Sequence, residues 1–188
     1  MDLDSSVDTL LFTAFDFETT GLYSASDRVC EIGAVQFRGT AVTGEFSELV
    51  NPGVPIPPDA GAVSGITDRM VAEMPSIAQM LPVFMEFIGD SILVAHNAEF
   101  DVGFLRAALH REGLPDVANT IIDTQVLAQK AFPRRRSYSL QNLAEELNIP
   151  PGAAHRAFDD AVVCMRLFRE CVNALSFMGD LSLREVLT

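Results

Sequence analysis

Residues 10–22 read LLFTAFDFETTGL, and no other stretch constrains the fold as strongly. An uncharged run leads into Asp16, Phe17 and Glu18, and a Thr-Thr-Gly turn closes it. Strand side chains alternate between faces, so Asp16 and Glu18 share one face while Phe15 and Phe17 share the other. The preceding run, rich in Leu, Phe and Ala, reads as a strand buried on both faces. Two carboxylates at the end of such a strand repel each other and lose hydration. Each is driven toward its neutral form unless a cation holds it charged. On this stretch alone a plainer alternative stands, one exposed acid and one acid capping the next element. Acids elsewhere in the chain decide between the two.

The 188 residues suffice for one full core, and one domain is expected: residues 1–9 as a flexible N-terminus, 10–175 as the functional domain, and 176–188 as a tail with a weak helical pattern. A hydrophobic share of 48% with 21% charged residues suits a compact globule. No apolar run approaches the ~20 residues of a membrane span, and the acidic start MDLDSSVDTL is unlike a signal peptide. Cys30, Cys164 and Cys171 lack metal-type pairing and read as small core residues, so a reducing, cytoplasmic setting is expected. The net charge of −13 argues against a protein that grips long stretches of nucleic acid through phosphates. It permits one that holds a few terminal nucleotides, because bound divalent ions reverse the local field. Arg134, Arg135 and Arg136 form the clearest basic cluster, read either as a solvated loop or as a phosphate contact.

Residues 28–37 and 40–50 read as two strands joined by a tight turn, which with the first gives an antiparallel meander. Residues 51–58, NPGVPIPP, form a rigid crossing, and Thr67 is expected to cap a turn that follows. Helical periods cover residues 76–88, 98–112, 140–147 and 156–175, with a further helix from Thr124 and short strands at 92–95 and 120–123. A meander followed by alternating strands and helices implies an α/β fold: a five-stranded mixed sheet with helices on both faces.

Further acids arrive on two of these elements. Asp101 lies in the first turns of the helix after the strand at 92–95, with Asn97 in an N-cap position. Residues 155–160 read HRAFDD and open the long last helix. Val163, Cys164 and Leu167 fall three, four and seven residues beyond Asp160, so Asp160 shares the inward apolar face and Asp159 does not. An inward acid without a partner is costly. Three segments thus bring Asp16, Glu18, Asp101 and Asp160 toward one end of the sheet. An all-oxygen set suits Mg²⁺ or Mn²⁺, and two such ions can act on a phosphodiester.

Residues 15–22 (FDFETTGL), 94–105 (VAHNAEFDVGFL) and 155–161 (HRAFDDA) resemble the three motifs of the DnaQ-like, or DEDDh, 3′–5′ exonucleases. The likeness runs from about residue 10 to about residue 175 in the family's order, with SGITD at 64–68 and Asp123-Thr124 as further signatures. It implies a ribonuclease H-like fold and metal ligation by Asp16, Glu18, Asp101 and Asp160, with Asp101 acting partly through water. His155 matches the general base, which suits the pKa range of an imidazole. Thr19, Thr20, Gly21, Ser64, Asn97 and Phe100 match positions around the 3′-terminal nucleotide. Ser64 stands where many members carry a His, which touches sugar selectivity rather than the chemistry. The family includes proofreading subunits of bacterial DNA polymerases, so single-stranded DNA or frayed 3′ ends, and a polymerase subunit contacted by the tail, are the implied partners. RNA as substrate and a non-catalytic binding module are the alternatives.

Overall fold

The computed structural model describes residues 2–150, 155–176 and 179–188. Strands β1 (Phe12–Thr19), β2 (Val29–Arg38) and β3 (Ala41–Leu49) form the antiparallel meander. β4 (Ile92–Ala95) joins β1 in parallel and β5 (Ile121–Asp123) joins β4, giving the order β3-β2-β1-β4-β5. The helices are α1 (Pro58–Ser64), α2 (Asp68–Val71), α3 (Ile77–Ile88) and α4 (Ala98–Arg111), then α5 (Thr124–Ala131), α6 (Leu140–Glu146), α7 (Ala157–Leu175) and α8 (Leu183–Leu187).

The alternation along β1 sorts the core into two layers. Phe12 and Ala14 pack with Val163, Leu167 and Phe168 of α7, while Phe15 and Phe17 pack with Phe84 of α3 and Leu105 of α4. The mixed sheet with helices on both faces is therefore as expected, and the period of two carries Asp16 and Glu18 onto the α7 side. Cys30, Cys164 and Cys171 are buried, unpaired core residues. No helix among the described residues is long and apolar enough to cross a membrane.

Three expectations are corrected. The proline-rich crossing ends in a helix, because Pro58 occupies the first turn of α1, where its fixed φ is an advantage, and Gly65 (φ 71°) stops it in the left-handed region. Thr67 precedes α2 without capping it through its hydroxyl. Residues 2–9 are not free: Val7 is buried, its N–H donates to the Leu181 carbonyl (2.9 Å), and the Leu183 N–H donates to Ser5 (3.1 Å). Leu181, Leu183 and Val186 of the expected tail complete the same core layer. Phe177 and Met178 of that tail lie outside the described residues.

Candidate active site

Asp16 and Glu18 end β1 on the face covered by α7. Asp160, in the first turn of α7, points back at them, and these three carboxylates offer oxygens within 4.8 Å of one another. The approach is close because β2 carries Gly33 directly across from Asp16. A Cβ there would lie 2.0 Å from the Ala157 carbonyl carbon, so only a glycine lets the helix start press onto the strand. Glu31, directly across from Glu18, accepts from the Ala157 N–H (3.0 Å) and from the Arg156 guanidinium (Nη2 to Oε1, 2.6 Å). Glu31, Gly33 and Arg156 were not among the residues expected at the site. A lone acid and a glycine in an apolar strand were the only local signal.

Asp101 sits beside the trio. It is buried, and its Oδ1 accepts the Phe17 N–H at 3.0 Å, between the two acids of β1. One oxygen is thereby committed to the strand backbone. Asp160 is held in turn: the His155 N–H donates to its Oδ2 (2.8 Å) and Gln141 Nε2 to its Oδ1 (3.3 Å). His155 is exposed, adopts φ 63°, and follows residues 151–154, which lie outside the described set.

The acids strain against one another. Burial, and then the charges of Asp101, Asp160 and Glu18, push the Asp16 carboxyl well above the usual range. Burial, aided by Asp160 and Glu31 and opposed by Arg156, raises Glu18 to about 7. Asp101 rises to about 8, again mainly through burial, although the Phe17 N–H stabilises its charged form. Burial raises Asp160 as well. Such a group of oxygens fits a divalent cation, whose charge offsets these shifts by stabilising the ionised carboxylates, and the lack of Cys or His among them suits a hard ion.

Next to Glu18 opens a cavity of about 450 Å³, walled by Phe17, the 18–22 turn, Ala60, Val63 and Phe100. The turn is fixed internally. Thr19 donates to the Gly21 carbonyl (2.6 Å), Thr20 accepts from the Arg28 N–H (3.0 Å), and a Cβ on Gly21 would lie 2.4 Å from Asp27 Oδ2. Thr19 commits its hydroxyl proton and Thr20 its hydroxyl oxygen to the turn, and the wall combines apolar side chains with the acidic residues Glu18 and Asp59. Phe100 packs on Phe104, with ring centroids 5.0 Å apart.

Two expected residues stand outside this cavity. Ser64 is turned onto its own helix end, donating to Ala60 (3.1 Å) and accepting from the Ile66 N–H (3.2 Å), so its hydroxyl does not face the pocket. Asn97 is exposed in the left-handed region (φ 59°), caps nothing with its side chain, and borders a neighbouring cleft with Leu22 and Phe100. The cap of α4 comes from Asp123 instead, which accepts from Asn97 N (3.1 Å) and Ala98 N (3.0 Å) and also from Gln125 N of α5 (2.8 Å). In the basic loop, Arg135 pairs with Glu146 (2.9 Å) and lies over the Phe132 ring, while Arg134 and Arg136 are exposed.

Known proteins resemble the chain in sequence and in fold. The sequence pattern of the exonuclease family of RNase T type matches residues 13–168. The chain is 46% identical over 159 residues to the DNA polymerase III subunit epsilon of Treponema pallidum, covering 84% of this chain and 74% of that protein. It is 39% identical over 183 residues to a PolC-type DNA polymerase III of Thermotoga maritima, of which it spans only 13%. Exonuclease X, solved with 5′-overhanging duplex DNA, superposes with a TM-score of 0.72 at 30% identity over 96% of this chain and all of that one. Escherichia coli exonuclease I, solved with a dA16 oligonucleotide, shares the fold at 19% identity and a TM-score of 0.77, over 88% of this chain and 41% of that one. The chain belongs to the RNase T-type exonuclease family and carries its ribonuclease H-like, DnaQ-like fold.

Proposed function

We propose that the chain is a 3′–5′ exonuclease that hydrolyses the terminal phosphodiester of single-stranded or frayed DNA and releases nucleoside monophosphates. The observation that carries this reading is the grouping of Asp16, Glu18 and Asp160 within 4.8 Å, with Asp101 buried alongside. So many carboxylates in one partly dry place, all pushed toward neutrality, are costly unless they hold cations. Asp16, Glu18 and Asp160, with Asp101 beside them, would hold divalent ions of the Mg²⁺ or Mn²⁺ type. When bound, those ions supply Lewis-acid stabilisation of the charge that develops on the phosphodiester oxygens. His155, exposed at the lip, takes the proton of the attacking water. The cavity beside Glu18 receives the terminal nucleoside between Phe100 and the 18–22 turn, which orients the scissile bond over the acids.

The relationship to a polymerase subunit and to a DNA-bound exonuclease supports DNA over RNA, and proofreading within a polymerase assembly as the setting. The test is hydrolysis of one oligonucleotide labelled at either end, in Mg²⁺, by the wild type and by Asp16→Ala. Mononucleotides released stepwise from the 3′ end by the wild type alone are the expected result. Equal cleavage by both proteins, or release from the 5′ end, contradicts the reading.

A further inference from the structure

The first turn of α7 carries Asp160 and follows directly on His155, yet its N-cap position holds Arg156, a residue that cannot cap a helix with its own side chain, and no side-chain cap bond is present. The missing acceptor comes from another strand. Glu31 of β2, 1% exposed, takes the Ala157 N–H (3.0 Å), one of the donors a helix start leaves unmet. The same carboxylate receives Arg156 through Nη2 (2.6 Å) and Nε (3.1 and 3.2 Å). Two residues along β2, Gly33 offers no Cβ, and the Ala157–Phe158 peptide rests on its backbone. Glu31 and Gly33 pair across the ladder with Glu18 and Asp16. The chain then closes on itself: Asp160 N donates to the Arg156 carbonyl (3.0 Å) and His155 N to Asp160 Oδ2 (2.8 Å).

We propose that Glu31, Gly33 and Arg156 are positioning residues, a seat on β2 that sets where Asp160 and His155 stand relative to Asp16 and Glu18. The inference rests on the metal-dependent reading of those acids and adds the device that aligns them. None of the three seat residues belongs to the acid trio. Each acts through the backbone of residues 155–160. A shift of the helix start on β2 passes directly into the separation between Asp160 and the acids of β1, because the seat and those acids are paired neighbours on one sheet face. A displacement of ~1 Å at such a site costs on the order of 10²-fold in rate.

A mere effect of charge has the opposite sign for one variant. Arg156→Met removes a positive charge near Glu18 and, acting through the field alone, raises Mn²⁺ affinity; acting through position, it lowers it. The experiment titrates Mn²⁺ into the full chain by calorimetry and measures kcat and KM on a 3′-labelled oligonucleotide, for wild type, Glu31→Gln, Arg156→Met, Arg156→Lys and Gly33→Ala. The expected result is a fall of about 10- to 100-fold in Mn²⁺ affinity and in kcat for the first two variants, the range of groups that orient metal ligands, with KM unchanged. Arg156→Lys recovers part of the loss, since it keeps the charge without the two-pronged fork. Gly33→Ala reproduces the loss with no change of charge; should it fail to fold, Glu31→Gln and Arg156→Met decide. Variants that melt lower but bind Mn²⁺ and turn over like wild type overturn the seat and leave the nuclease reading intact. A wild type that binds no Mn²⁺ overturns both.

Discussion

His155 stands where the proposed chemistry meets solvent, and its two functional parts separate cleanly. The backbone N–H holds Asp160, while the imidazole is free of that duty. His155→Ala keeps the N–H, so it is expected to lower kcat by about 10²- to 10⁴-fold, the usual contribution of a general base, with Mn²⁺ affinity unchanged. Single-turnover rates beside a Mn²⁺ titration check this, and a parallel loss of both would make His155 a structural residue instead. Asp16, Glu18 and Asp160 were legible in the sequence because two short-range periods sort them: two residues per repeat on β1, and about 100° per residue on α7, which separates Asp160 from Asp159. Glu31 was not legible. Its partner on α7 lies 126 residues away, and nothing in RVCEIGAVQF states that a helix start needs an acceptor there. The bonding of the Ser64 hydroxyl was not legible for a related reason: position in a motif does not reveal that a hydroxyl bonds to its own helix end.

Asp123 joins two elements at once. It ends β5 and accepts N–H groups from the starts of both α4 and α5. Loss of one capping acceptor costs about 0.5–2 kcal/mol, and here two helices lose theirs together. Asp123→Ala is therefore expected to destabilise the chain by about 1–3 kcal/mol in urea denaturation. Asp123→Asn, which keeps an acceptor oxygen, should cost less. Equal stability of both variants and the wild type would refute the shared cap. The strands and long helices were readable from apolar periodicity, since each buries a continuous stripe. α1 was not, because its sequence PDAGAVS has almost no apolar face and is defined by Pro58 at its start and Gly65 at its end. Asn97 looked like the cap of α4 by type and place. The turn into that helix demands φ 59°, which asparagine tolerates, and its side chain makes no cap bond.

At the scale of the molecule, the acid cluster opposes folding whenever it is charged and empty. Glu18 rises from 4.5 to about 7 and Asp101 from 3.8 to about 8, so the folded state binds more protons than the unfolded chain between those values. The stability that these two carboxyls contribute to the metal-free protein is thus fully present below about 3.8 and is lost as pH rises toward about 8. Saturating Mn²⁺ should remove that fall by stabilising the charged forms. Melting temperatures across this range, with chelator and with Mn²⁺, check it; a metal-free melting temperature that climbs with pH would contradict it. The N-terminal segment, expected to be frayed, and the tail, expected to be weakly helical, both pack into the core layer that includes α7.

The central claim is that acids from three separate segments meet around divalent ions. Its most direct test is calorimetric titration of the metal-free chain with Mn²⁺ near pH 7.5, in two buffers of different ionisation enthalpy, beside Asp16→Asn. The account predicts two ions bound with release of protons from the raised carboxyls in the wild type, and loss of that binding in the variant. Absence of binding, or equal binding and equal proton release by the two proteins, would contradict it.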